Sequence, residues 1–162
     1  MANAHRGRPA AATYFVEPNQ VLNRDQVVEE LETVTHRELV EETQNDDIFA
    51  WLARFGLIRN EVNCPHCNIP CRITARYRLN DGKQWTCPSQ NCNYSKSIRA
   101  DSFFEDAHLS LRQLVDFVYF WSRKMPLTYI KEETGIVSWT TAVDWANFIR
   151  DVCGLWYVLL MC

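Results

Sequence analysis

A chain of 162 residues allows one or two small domains, and its 47% of hydrophobic residues with six tryptophans excludes a disordered chain. The net charge of −3 is small but unevenly spread: Arg24 to Asp47 holds nine acids against two bases, whereas Cys71 to Ala100 holds six bases against one acid. Seven cysteines, an odd number, with no signal peptide argue for a reducing compartment and against a disulfide framework.

In chain order, residues 1–22 lack helical or strand periodicity and read as a flexible tail. Arg6 and Arg8 with no acid before Glu17 give a faint transit-peptide character, which Pro9 and the missing amphipathic pattern oppose. Residues 23–60 read as a helical prelude. Asn23 or Asp25 can cap a helix running to about Glu32 with Val27, Val28 and Leu31 on its buried side. Thr33 to Gln44 allows a further short helix. Asp46-Asp47 opens another, with Ile48, Trp51, Leu52 and Phe55 at helical spacing and Gly56 at the position after its end. This stripe is expected to pack the prelude against the cysteine-bearing segment after it, and the acidic run reads as a soluble helix surface.

Residues 61–101 carry the strongest signal. Cys64-x-x-Cys67 and Cys87-x4-Cys92 are separated by nineteen residues. Two thiolate-bearing turns joined by a hairpin-length insert are what a tetrahedral zinc site requires, and Pro65 and Pro88 suit tight turns directly after a ligand. The four cysteines are therefore expected to bind zinc as a zinc ribbon. Disulfides or ordinary buried thiols are the competing readings. Cys71 is a spare that could replace Cys67, and His66 reads as a solvated turn residue. Within the insert, Cys71 to Leu79 reads as a strand with Ile73, Ala75, Tyr77 and Leu79 on one face and Arg72, Thr74, Arg76 and Arg78 on the other. Asn80-Asp81-Gly82 is a hairpin turn, Lys83 to Cys87 a second strand carrying Trp85, and Tyr94 to Ile98 a third.

Residues 102–162 read as helical. Ser110 is an N-cap for a helix from Leu111 to about Arg123, with Leu111, Leu114, Val115, Val118 and Trp121 as its stripe. Pro126 breaks the chain; Thr128 to Thr134 gives a short helix ending at Gly135, and Ser138 caps a third from Trp139. Short helix, glycine-containing turn and helix form the pattern of a helix-turn-helix, which helical bundles without DNA-binding function share. Its last helix would expose Thr140, Thr141, Asp144, Asn147 and Arg150, of which Thr140, Thr141 and Arg150 are the candidates for DNA contact. Cys153 and Cys162 lie in an apolar segment and read as core. The apolar run from Val152 to Cys162, broken by Gly154, is too short to span a bilayer. The fold class expected is α+β: a small zinc-ribbon sheet between a helical prelude and a three-helix, helix-turn-helix-like bundle.

The order CPHC, WTC, NC, SKSIRADSFFEDAHLSLRQLVDFVYFW and TGIVSWTTAVDWANFIRDVC resembles the N-terminal half of Merlin-superfamily transposases, DNA-transposon enzymes akin to bacterial insertion-sequence transposases. The resemblance runs from about Asp46 to Trp156 and includes the WL-x-x-x-GL phrase at Trp51-Leu52 and Gly56-Leu57. Ser97, Arg99, Phe103 and Phe104 fit the family's S-x-R-x-G-T-F-F phrase, whereas Asp101 and Ser102 stand where glycine and threonine are usual. A glycine at that place would suit a left-handed backbone, which Asp tolerates better than most residues.

The resemblance implies a ribonuclease H-type catalytic domain beyond Cys162, holding two metals on carboxylates. Glu105-Asp106, being adjacent, point apart and read as a solvated acidic turn, so no enzymatic activity is expected of these residues. Two functions fit. In one, the chain is a truncated or domesticated DNA-binding part of a transposase: Arg72, Arg76, Arg78, Lys96 and Arg99 grip phosphates, the Trp139 helix approaches a groove, the partner is transposon-end-like DNA, and the location is the nucleus. In the other it is a protein-interaction module with a purely structural ribbon, docking itself or a full-length transposase through the acidic prelude and the LWYVLLMC end. Neither involves a membrane.

Overall fold

The computed structural model describes residues 11–44 and 47–161, with the backbone alone for 47 and 156–161. Among these the fold is α+β: six α-helices and one three-stranded antiparallel sheet. The chain divides into two compact units, Met1–His108 and Leu109–Cys162. No helix among the described residues is long and apolar enough to cross a membrane.

In the first unit, α1 (Arg24–Thr33) is capped by Asn23, whose side chain accepts from the Gln26 N–H while Gln26 reaches back to the Asn23 N–H. Thr35 and Glu38 repeat the device at α2 (His36–Glu42). Helix α3 (Asp47–Arg54) follows; Asp46, expected to open it, lies outside the described residues. Gly56 after it has φ +66, the left-handed conformation a helix end favours in glycine. Ile48, Trp51, Leu52 and Phe55 are all buried, as their spacing predicts, and Leu39 of α2 is buried with them. Helix α1 departs from expectation: it has no buried residue, and Val28 is half exposed. Val27 and Leu31 are half-buried, and a partly exposed ion pair from Glu30 to Arg54 at 2.8 Å adds a weak tie to α3.

The sheet runs β1 (Arg72–Ala75), β2 (Lys83–Thr86), β3 (Ser95–Ser97), in that order and antiparallel. Strand β1 is shorter than the alternation of CRITARYRL suggests. Pairing ends at Ala75↔Lys83, and Arg76 to Gly82 form the connection, closed by the Arg76 N–H to the Gly82 carbonyl at 2.7 Å. Tyr77 and Leu79, placed by sequence on the apolar face, are therefore exposed, Tyr77 to 94%.

The stretch read as tail docks onto this unit over residues 12–22. The Ile73 N–H donates to the Ala12 carbonyl, Phe15 and Val16 donate to Asn60 Oδ1, and Leu22 donates to the Arg54 carbonyl. Phe15 stacks on Phe49 of α3 at 5.7 Å between centroids and meets Trp85 of β2 edge-on at 5.3 Å. One ring thus joins the prelude to the sheet by contact with two large buried side chains, although the Trp85 indole N–H is left buried without a hydrogen-bond partner. Residues 1–10 of the expected tail lie outside the described residues.

The second unit holds α4 (Leu111–Ser122), α5 (Leu127–Glu133) and α6 (Trp139–Met161). Leu111, Leu114 and Val115 are buried as expected, but Phe117 and Phe120 complete the buried face; Val118 and Trp121 are only half-buried. Ile130 of α5, Ile136 of the turn, and Ala142, Ala146 and Ile149 of α6 supply the rest of the core. The Gln113 amide donates to the Thr134 carbonyl at 3.1 Å, tying α4 to the end of α5. Cys153 is exposed, not core, although it continues the Ala142–Ala146–Ile149 spacing: Asp151, Gly154 and Leu155 around it are exposed as well, so burial along α6 has ended by that point; Cys162 lies outside the described residues.

Ser110 caps α4 as the sequence predicts: its Oγ accepts from the Gln113 N–H at 3.2 Å and the Gln113 side chain accepts the Ser110 N–H at 3.1 Å. Ser110→Ala removes one half of that box. A loss of about 1 kcal/mol is expected, read as a lower thermal midpoint for the second unit alone.

Candidate metal centre

The four spaced cysteines converge. Cys64, Cys67, Cys87 and Cys92 bring their sulfurs within 4.8 Å of one another, and the group could hold a metal ion. Each pair is placed by its own turn. In the first, the Asn68 N–H donates to the Cys64 carbonyl, the Cys64 N–H to the Ile69 carbonyl, and Asn68 takes φ +53 to close the loop. Asparagine is among the few side chains that accept that backbone. In the second, the Cys87 N–H donates to the Tyr94 carbonyl and the Cys92 N–H to the Ser89 carbonyl. Cys87 directly follows β2, so the sheet sets the distance between the turns.

The spacing of the sulfurs fits a tetrahedral thiolate site. Metal–sulfur bonds of about 2.3 Å imply sulfur–sulfur edges of about 3.8 Å. The Cys64 and Cys92 sulfurs are 3.6 Å apart, far beyond a disulfide bond of about 2 Å. All six described cysteines are free thiols. Burial pushes the Cys64 thiol up, but backbone N–H groups of His66 and Cys67 and the Cys92 and Cys87 thiols outweigh it, bringing it down to about 7. The hydrogen bond with Cys92 and then burial push Cys67 up to about 12. The turns thus aim N–H donors at sulfur, the arrangement a ligand thiolate needs.

Cys71 is fully buried and outside the group; burial first, then the neighbouring thiols, push its thiol up. It packs beneath the site rather than replacing Cys67. His66 is exposed, with its ring 5.8 Å from that of Tyr94, as a turn residue would be.

Within the first unit, the residues expected to contact DNA differ in their surroundings. Arg72, Arg76 and Arg78 are exposed on β1 and the turn after it. Among the described residues their side chains have no hydrogen bond or ion pair. Lys96 of β3 is half-buried and paired with Asp101, which also takes Arg59 at 3.0 Å. Lys96 foremost, then Arg59, hold the Asp101 carboxyl below the usual range against the opposing effect of burial. Asp101 itself has φ +58, the left-handed backbone for which glycine would be the easier residue.

Arg99 departs most from expectation. It is 4% exposed and grips Asp81 through two hydrogen bonds of 2.7 and 2.6 Å, while its third contact is to the Ala107 carbonyl at 2.9 Å. A guanidinium so enclosed has no face left for a phosphate; it is a clamp between the end of β3 and the β1–β2 turn. Glu105 also serves locally, accepting the Asp101 N–H at 3.1 Å, and Asp106 beside it is exposed.

In the second unit Thr140 and Arg150 are exposed and Thr141 is half-buried. The Thr141 N–H donates to Ser138 Oγ at 3.2 Å, the expected cap of α6, and Arg150 donates to Asn147 Oδ1 at 2.8 Å. Asp81 and Tyr77 are the residues sequence reading did not single out: the first sits in a turn motif, the second in an apparently alternating strand.

No protein-family model, no curated protein and no solved structure matches this chain.

Proposed function

We propose that the chain is a zinc-dependent DNA-binding module, the part of a Merlin-type transposase that recognises transposon-end DNA in the nucleus rather than the part that cuts it. In this reading the four-cysteine group holds zinc, the three-stranded sheet is a zinc ribbon, and α4 to α6 are a helix-turn-helix whose last helix meets the groove with Thr140, Thr141 and Arg150. Zinc is the ion of choice because four thiolates in a tetrahedral set, without an open position, suit a structural and redox-inert metal. The observation that carries the proposal is the state of the basic residues. Arg72, Arg76 and Arg78 stand exposed, with no acid beside them among the described residues, on a module that the cysteines can brace. Three unpaired guanidiniums so close in sequence supply the sequence-independent phosphate attraction from which DNA binding starts.

A second reading, a protein-interaction module that docks itself or a full-length transposase, is favoured by the apolar residues left exposed in the second unit: Val137 at 91%, Trp139 at 50% and Leu155 at 66%. The side chains of Trp156 to Cys162, on which that reading also drew, lie outside the described residues.

Titrating the zinc-loaded chain with labelled duplex DNA across a salt series separates the two. Affinity is expected to fall steeply with salt, and Arg72→Gln, Arg76→Gln and Arg78→Gln are each expected to reduce the log–log slope by about 1. Absence of duplex binding at low salt would overturn the DNA reading and leave the interaction module.

A further inference from the structure

We propose that Tyr77 is a stacking platform for an unpaired nucleobase, with Arg76 and Arg78 taking the phosphates on either side, so that the β1–β2 turn selects single-stranded or locally opened nucleic acid. The proposal rests on the DNA-binding reading above and gives it a substrate class. Tyr77 is 94% exposed, and among the described residues its ring and hydroxyl have no partner. A folded chain that leaves an aromatic ring wholly in water forgoes the burial that rings of this size normally contribute.

The ring is not on a loose loop. Its turn is closed by three backbone hydrogen bonds, from Arg76 to Gly82 at 2.7 Å, Leu79 to Arg76 at 2.9 Å and Gly82 to Leu79 at 2.9 Å. Arg99 then pins Asp81 at the turn's far side, and the Asn80 amide donates to the His108 carbonyl at 2.7 Å. The backbone that carries the ring and its two neighbouring unpaired guanidiniums is fixed in this way, so little backbone ordering is left for a ligand to induce.

Single-strand readers combine these two elements, cations that follow the backbone and aromatic faces on which bases stack. A continuous duplex offers the cations its phosphates but hides its base faces, so it engages the arginines and not the ring. A strand with free bases engages both. Base stacking is indifferent to sequence, because every base has a π-face. The turn would therefore favour openness over sequence.

The test compares labelled oligothymidylate with a duplex of the same length, using the full zinc-loaded chain and the variants Tyr77→Ala, Tyr77→Phe and Tyr77→Trp. Because Tyr77 touches nothing, all three are expected to melt as wild type. Tyr77→Ala is expected to weaken single-strand binding about tenfold, the loss of roughly one base stack. Duplex affinity and both salt slopes should stay put, and Phe and Trp should restore the single-strand affinity. Three results would overturn the proposal: no effect of Tyr77→Ala on the single strand, an equal effect on duplex, or failure of Phe and Trp to rescue. The first of these leaves the tip to a protein partner. Its failure is distinguishable from that of the parent reading: wild type that binds neither probe sinks both, whereas wild type that binds both equally well with or without the ring sinks this one alone.

Discussion

On the proposed zinc reading of the four-cysteine group, Cys87→Ser is expected to reduce bound zinc from one ion per chain to a small fraction of that and to unfold the sheet of the first unit. Cys87 is 4% exposed and directly follows β2, so its sulfur enters the group from the end of the strand on which both other strands pair. The three strands have four, four and three residues. A sheet that small is marginal in water without another source of stability. Structural zinc in comparable small modules contributes about 10–16 kcal/mol of apparent binding free energy, much of it expressed as folding. Serine cannot supply the missing thiolate, so several kcal/mol of that is expected to go, more than the sheet can lose. Metal analysis and circular dichroism on the purified variant read both effects, and a strong chelator added to wild type should reproduce them.

Two controls separate ligation from packing. Cys71→Ser sits in a fully buried position outside the group, so it should keep a full zinc complement at a modest cost in stability. Cys153→Ser, exposed in the second unit, should change neither. Zinc retained by Cys87→Ser would remove the four-cysteine site as the centre of the molecule. The helices of the second unit, which carry their own core and caps, are expected to survive in every case.

What the sequence reveals about this molecule depends on the range of the interactions concerned. Caps are local, and Asn23, Ser110, Ser138 and the positive φ of Gly56 stand where residue type predicts. The cysteine pairs are legible for the same reason, each being a short turn, and only their convergence requires the fold. Asp101 belongs here as well: a place expected to suit glycine has φ +58, held with Lys96 and Arg59 around its carboxylate. The helix stripe of α4 is half legible. A run of LRQLVDFVYFW offers apolar residues on more than one face, and the phase that buries Phe117 and Phe120 over Val118 and Trp121 is chosen by packing.

The misreadings share a nonlocal cause. Phe15 has no periodicity around it, yet it closes the gap between Phe49 and Trp85, residues more than thirty positions away from it in sequence. Tyr77 alternates with arginines as a strand residue would, but β2 begins too late in the chain to pair with it. Alternation describes a strand only as far as a partner strand extends. Val28 likewise has helical spacing in α1 and no neighbouring element to bury it.

Arg99 is the residue whose substitution decides most about the first unit after the cysteines. Arg99→Ala is expected to destabilise it by about 3–5 kcal/mol, the cost of leaving one partner of a buried ion pair uncompensated. The Asp81 side chain is only 10% exposed and would lose both guanidinium hydrogen bonds, and the Ala107 carbonyl would lose its donor. Asp81→Asn should cost less, because a neutral amide can still accept one of the bonds. The Arg99→Met/Asp81→Leu double variant is expected to recover a large part of the loss, since an apolar pair removes both charges from the interior together. Denaturant unfolding supplies these values, and DNA titration of the same proteins supplies the contrast. A phosphate-gripping arginine would show the reverse pattern: wild-type stability, weaker binding and a salt slope lower by about 1. The burial of Arg99 and its fork on Asp81 predict the first pattern, with any loss of DNA affinity following the loosening of the turn that carries Arg76 and Arg78.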